Sequence, residues 1–190
     1  GKWKALQYAA RHFFEPVCAS IEETDKDYKV YILNDTREDK KLTVSVKIAT
    51  LDGRVLYENK NTNELVKNVV ANSRVLFETG NIGGNKKDMF MSVKLFENGK
   101  LISERTKIFV PDRDLKLKPN TIEKSVSYKN GEIVVKMKSP VFCRSVMVDI
   151  EDFREPFSDN YFDLLPNEEK IVTVKADKMH DVTVKSLADI

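Results

Sequence analysis

The sequence changes its hydrophobic period at Pro16. Ahead of it, Trp3, Leu6, Ala10, Phe13 and Phe14 recur at three- and four-residue steps, the spacing of one face of a helix. Ala5, Leu6, Gln7, Ala9 and Ala10 favour that conformation. Pro16 ends it at or before Glu15, because proline clashes with a continuing helix. The spacing predicts a helix over residues 4–12. A helix this short is marginal alone and must dock; sequence upstream of residue 1 is one candidate partner. Beyond Pro16 the period is two. Leu42, Val44, Val46 and Ile48 alternate with Thr43, Ser45 and Lys47, and Met89, Met91, Val93 and Leu95 repeat the pattern. Such segments form strands with one apolar face, which another sheet must cover.

Turn residues divide the strands. Asp52-Gly53, Asn98-Gly99 and Asn130-Gly131 are hairpin signals. Asn34-Asp35, Asn59-Lys60-Asn61 and the stretch 81–85 read as loops. Pro111-Asp112-Arg113-Asp114 separates two alternating series. The second holds residues 121–128, Ile133 to Met137, the run 141–150, residues 161–164, 171–176 and 182–187. Short strands at this spacing predict an all-β chain, two immunoglobulin-like β-sandwich domains preceded by a short N-terminal helix. The expected divisions are a helix and linker over 1–15, one sandwich over 16–111 and a second over 112–190. Pro166 presets φ for a turn corner, and Asn167 tolerates the positive φ of the next position.

With 41% hydrophobic residues the chain can build real cores. Before Pro111 there are 19 basic and 15 acidic residues, and from Pro111 onward 13 and 15. Neither part carries a sustained positive stripe, so nucleic acid is not an expected partner. No apolar run approaches 18 residues, so no membrane insertion is expected. The start, Gly1-Lys2-Trp3-Lys4, has no signal-peptide pattern, and the sequence reads as a piece of a longer protein.

Two acidic clusters stand out: Glu22-Glu23-Thr24-Asp25-Lys26-Asp27 and Asp149-Ile150-Glu151-Asp152. Adjacent strand residues point to opposite faces, so adjacency alone makes no catalytic pair, and both clusters read as solvated turns. His12 and His180 lack a nucleophile motif around them. Gly83-Gly84 lacks the spacing of a phosphate loop. Cys18 and Cys143 sit in apolar runs in different predicted domains and read as buried free thiols; Cys/His spacing for a metal is missing. Tyr31, Tyr57 and Tyr128 are the candidate sugar-stacking rings. The residues thus give no catalytic, cofactor-binding or metal-ligating assignment, and no cofactor is expected.

Two segments carry a resemblance. Residues 3–17, WKALQYAARHFFEPV, resemble the junction that links the catalytic barrel to the following domain in β-mannosidases of glycoside hydrolase family 2. Residues 159–168, DNYFDLLPNE, resemble the N-x-F-D-L-L-P-G-E segment of the last domain of those enzymes, with Asn167 where glycine is common. The ending 182–190 is also similar. The resemblance implies the accessory C-terminal region of a five-module enzyme that releases terminal β-linked mannose with retention. Its two catalytic glutamates would lie on a barrel absent from these residues. It further implies intramolecular contact with that barrel, and a periplasmic, extracellular or, in a eukaryote, lysosomal setting. The alternative is a freestanding carbohydrate-binding or adhesion tandem, with a glycan as partner.

Overall fold

A computed structural model describes residues 2–24, 28–66, 74–78 and 84–190. Expectations for residues 25–27 and 81–83 lie outside them. Among the described residues the chain forms one α-helix, α1 (Ala5–Phe13), and thirteen strands. It divides into two compact units. One is His12–Thr50 with Arg54–Leu115; the other is Gly1–Arg11 with Leu51–Gly53 and Lys116–Ile190.

The first unit contains β1 (Val17–Glu23), β2 (Tyr28–Asn34), β3 (Lys40–Thr50), β4 (Val55–Val66), β5 (Arg74–Glu78), β6 (Met89–Glu97) and β7 (Lys100–Ile108). They pair antiparallel in two sheets, ordered β1-β2-β5 and β4-β3-β6-β7. The two-residue period decides what lies between the sheets. Val30 and Ile32 of β2 share one core with Leu42, Val44, Val46 and Ile48 of β3 and with Met91, Val93 and Leu95 of β6. Tyr28 closes the end of that core. Its ring meets Phe109 edge-on at 5.0 Å and its hydroxyl donates to Glu23 at 3.0 Å. Burial and that carboxylate push the phenol up to about 12.

One reading needs correction here. Asn59-Lys60-Asn61 is not a loop. β4 runs through it, with Val46, Ser45 and Val44 of β3 opposite. β4 is the outer strand of its sheet, where backbone pairing overrides the poor strand propensity of asparagine.

The second unit contains β8 (Glu123–Lys129), β9 (Glu132–Lys138), β10 (Cys143–Asp149), β11 (Phe162–Leu164), β12 (Glu169–Lys175) and β13 (Thr183–Lys185). Its antiparallel sheets are β12-β9-β8 and β11-β10-β13. Ile133, Val135 and Met137 of β9 pack with Val146 and Val148 of β10, Phe162 and Leu164 of β11, and Val172 and Val174 of β12. Asn130 and Gly131 both take positive φ, 55° and 79°, the geometry a two-residue hairpin demands.

The helix docks, but not by the expected stripe. Leu6 and Phe13 are 79% and 83% exposed, while Tyr8 is 3% exposed. The Tyr8 hydroxyl accepts from the Phe157 amide at 3.1 Å, and its ring packs near Trp3 and Tyr161. Arg11 reaches over Trp3 and donates to the Ser158 carbonyl at 3.1 Å. Lys2 binds Asp149 at 2.8 Å and the Ile150 carbonyl at 2.7 Å. The partner of the opening segment is therefore the second unit of this chain. Tyrosine offers both a ring to bury and a hydroxyl to pair, which a count of wholly apolar residues misses.

The Pro166-Asn167 corner is as the sequence demands. Asn167 has φ 62°, and the Glu168 amide donates to the Leu165 carbonyl at 3.2 Å. Phe162 and Leu164 both face the core. Asn167→Gly should be neutral or slightly stabilising, and Asn167→Val should cost about 1–2 kcal/mol for holding a β-branched residue at positive φ. Denaturant melts of the three proteins measure this; equal midpoints for the asparagine and valine forms would contradict it.

Candidate functional site

The described carboxylates of the two acidic clusters have local partners or lie in turns. Glu22 accepts from the Tyr31 hydroxyl at 2.6 Å. Glu23 pairs with Lys107 at 2.9 Å, and that bond holds its carboxyl below the usual range. Asp149 binds Lys2. Glu151 and Asp152 form an exposed turn after β10, with Asp152 at φ 54°. The first cluster lies in the first unit and the second cluster in the second. Each carboxylate with a partner described here anchors a strand end or a turn.

The histidines and cysteines are equally local. His12 Nδ1 meets Glu15 Oε1 at 2.9 Å. Glu15 Oε2 accepts from Ser103 at 2.7 Å and pairs with Arg105 at 3.2 Å, and Arg105 also donates to the His12 carbonyl. This network ties the end of α1 to β7. His180 lies 5.0 Å from the Phe153 ring and 3.4 Å from Asp177, whose carboxyl that contact lowers. Cys18 and Cys143 are buried free thiols. Burial pushes the Cys18 thiol up despite Arg105, which disfavours the thiolate a nucleophile needs. Among the described residues, no group of three or more His, Cys, Asp or Glu stands where it could hold a metal.

The candidate stacking rings form no row. Tyr31 is on β2 and Tyr57 on β4, in different sheets of one sandwich, and Tyr128 is in the other unit. Tyr57 packs on the core, and Tyr128 donates to the Asp177 carbonyl at 2.9 Å. An open hollow of about 510 Å³ beside the Asn130-Gly131 hairpin is lined by Phe153, Glu132, Glu155 and Asp177. It offers one ring and several acceptors.

The segment 159–168 is where side-chain chemistry is concentrated, and its work is architectural. Asn160 is 6% exposed and acts as an extra rung beside β10. Its Oδ1 accepts from the Val148 amide and its Nδ2 donates to the Val148 carbonyl, both at 2.8 Å. Asp163 stands opposite a bulge, where Arg144 and Ser145 of β10 face one residue of β11. It accepts from the Ser145 amide at 3.0 Å and from Arg144 at 2.6 Å. Ser145 can thereby hold φ 50°, and Cys143 and Val146 both stay buried although three residues apart. Asp159 pairs with Lys170 at 2.8 Å. The ending is fixed similarly. Burial works against ionising Asp189, but bonds from the Asn120 amide and from Ser186 outweigh it and lower its carboxyl.

Two sandwiches whose characteristic polar residues hold bulges, rungs and turns define a tandem of immunoglobulin-like accessory domains. Residues 26–114 match the mannosidase Ig/CBM-like domain, and residues 117–190 match the mannosidase Ig-fold domain. The two matches together span both sandwiches, and the chain is a pair of immunoglobulin-like domains of the mannosidase type.

Among curated relatives, the β-mannosidase of Bos taurus is 27% identical over 207 residues, covering 100% of this chain and 23% of that protein. β-Mannosidase A of Aspergillus oryzae is 29% identical over 210 residues, covering 98% and 23%. The chain thus spans about a quarter of the length of these relatives. Among solved structures, the β-D-mannosidase of Dictyoglomus thermophilum superposes with a TM-score of 0.77 at 20% identity, over 95% of this chain and 22% of that one. An exo-chitosanase of Amycolatopsis orientalis gives 0.71 at 16%, over 96% and 27%. At these identities the two structures speak for the fold.

Sequence reasoning missed Tyr8, Asn160 and Asp163. For all three the signal was present, since Tyr8 lies in residues 3–17 and Asn160 and Asp163 in residues 159–168, the two segments that carry the resemblance. Asn160→Ala should destabilise the chain by about 2–4 kcal/mol, because it strips both backbone groups of Val148 of their partner in a buried place. A denaturant melt against the parent sequence checks this; a loss under about 0.5 kcal/mol, the scale of a neutral surface change, would contradict the rung.

Proposed function

We propose that this chain is the accessory C-terminal region of a β-mannosidase, and that the full-length protein releases terminal β-linked mannose from glycans by a retaining mechanism. The observation that carries this reading is the alignment of 98–100% of the chain, across both sandwiches, with proteins named β-mannosidase. Retention needs two carboxyl groups about 5–5.5 Å apart across one sugar. In this reading that pair lies upstream in the polypeptide. Acids among the described residues, such as Glu15, Glu23 and Asp163, tie strands together, and in this reading the partner of the two sandwiches is the catalytic part of the same protein. No described helix is long and apolar enough to cross a membrane. The resemblance puts the full-length protein in a periplasmic or extracellular setting, lysosomal in a eukaryote.

A second reading, a carbohydrate-binding tandem, draws on the CBM-like description of residues 26–114. One experiment separates the two. The chain and the full-length protein are assayed side by side on an aryl β-mannoside, and the chain is titrated with mannobiose. The full-length protein should turn over and the chain should not, with mannobiose binding no tighter than millimolar, roughly 4 kcal/mol. Turnover by the chain that is lost on changing Glu151 or Asp152 would overturn the accessory role, and micromolar binding would favour the second reading.

A further inference from the structure

β8 (Glu123–Lys129) is an outer strand of the sheet β12-β9-β8, and along it only Val126 is not exposed. The other sheet edges of the second unit are plugged or short. Ser158 plugs β12: its amide donates to the Thr173 carbonyl at 2.7 Å and its Oγ accepts from the Thr173 amide at 2.9 Å. β11 and β13 have three residues each. An open edge of seven residues is a template for another strand unless charge or proline guards it. β8 holds no proline. Its Lys124 is engaged elsewhere, donating to the Val182 carbonyl of its own unit. Tyr128 likewise donates to the Asp177 carbonyl at 2.9 Å.

The strand is complementary to itself. Lys129 and Glu132 flank the two-residue Asn130-Gly131 hairpin, and the pair flanking such a turn is hydrogen-bonded, with bonded and non-bonded pairs alternating from there. Glu123, Ser125, Ser127 and Lys129 therefore turn their amides and carbonyls to β9. Lys124, Val126 and Tyr128 turn theirs to the open edge. A two-fold axis at Val126 sets Val126 opposite itself and Lys124 opposite Tyr128, so open groups meet open groups. The same axis sets Ser125 opposite Ser127 and Glu123 opposite Lys129. This antiparallel register alone engages all seven residues. The charges of the whole sheet agree with it. Glu169, Lys138 and Glu123 form one cross-strand row, and Lys175, Glu132 and Lys129 form another. Across the axis the first row of one copy continues into the second row of the other, and acid and base alternate over six strands. Opposite charges directly across a strand pair stabilise it and like charges destabilise it. We propose that β8 is a self-association edge on which a second copy of this chain adds its own β8, antiparallel and centred on Val126. One added strand covers less than the ~800 Å² per partner of a tight complex, so the dimer is weak. The proposal does not depend on the proposed function.

Sedimentation velocity on the 190-residue chain at low salt tests it, with charge swaps as the probe. The chain should pass from monomer to dimer with a Kd on the order of 10–100 μM, as suits a small interface. Glu123→Lys alone brings two cations together across the axis, and Lys129→Glu alone brings two acids together. Each should weaken association about tenfold or more. The double variant exchanges the two charges and should return the Kd to within about threefold of the parent. Melting curves show that each variant stays folded. Hydrogen exchange supplies the position: the amides of Lys124, Val126 and Tyr128 should gain protection as concentration rises. A chain that remains monomeric at about 1 mM would overturn the proposal. So would a dimer that both single swaps leave intact, which would place the contact on another surface such as Phe13 and Phe14. Failure of the double variant to recover the dimer would also overturn it, because the register would then be wrong.

Discussion

β2, β3, β9 and β12 each have one apolar face, because successive side chains point to opposite sides. Every such face has to be covered by a second sheet, and the remaining features of the chain follow from meeting that demand twice. In the first unit β2 answers β3 and β6. In the second, β9 and β12 answer β10 and β11. The demand is also what gives the polar residues their work. β10 must bury both Cys143 and Val146, which strict alternation forbids, so a bulge is inserted and Asp163 holds it. Beside Val148, Asn160 supplies the rung that closes the backbone's hydrogen bonds.

How much of this was legible depended on whether a signal was periodic or conformational. The alternation in β3 and β6 and the Asn-Gly hairpins were readable, because period and positive φ are written in residue type. Asn167 was readable for the same reason. β4 was not, since its Asn-Lys-Asn stretch carries loop propensity and only its pairing with β3 makes it a strand. The helix was placed but its contact face was not. Counting apolar spacing selected Leu6 and Phe13, whereas the amphipathic Tyr8 made the contact. Leu6 and Phe13 are nevertheless a genuine apolar face, left exposed within these 190 residues.

For function, the informative result is where the carboxylates go. Glu15, Glu23, Asp159, Asp163 and Asp189 each bind an amide, a hydroxyl or a cation of this same chain. That is the use of acids in a scaffold. The segment that most specifically carries the family resemblance, residues 159–168, proves to be a set of structural fasteners.

That account is tested most directly at Asp163. Asp163→Ala in the full-length protein removes the acceptor that holds the β10 bulge and leaves any barrel chemistry untouched. Melting temperature and kcat on an aryl β-mannoside are measured on the same protein, with kcat taken well below the melting range. A scaffold role predicts a lowered melting temperature with kcat within about twofold of the parent. A fall in kcat of about a hundredfold or more, the scale on which a general acid or base contributes, with an unchanged melting temperature would contradict it.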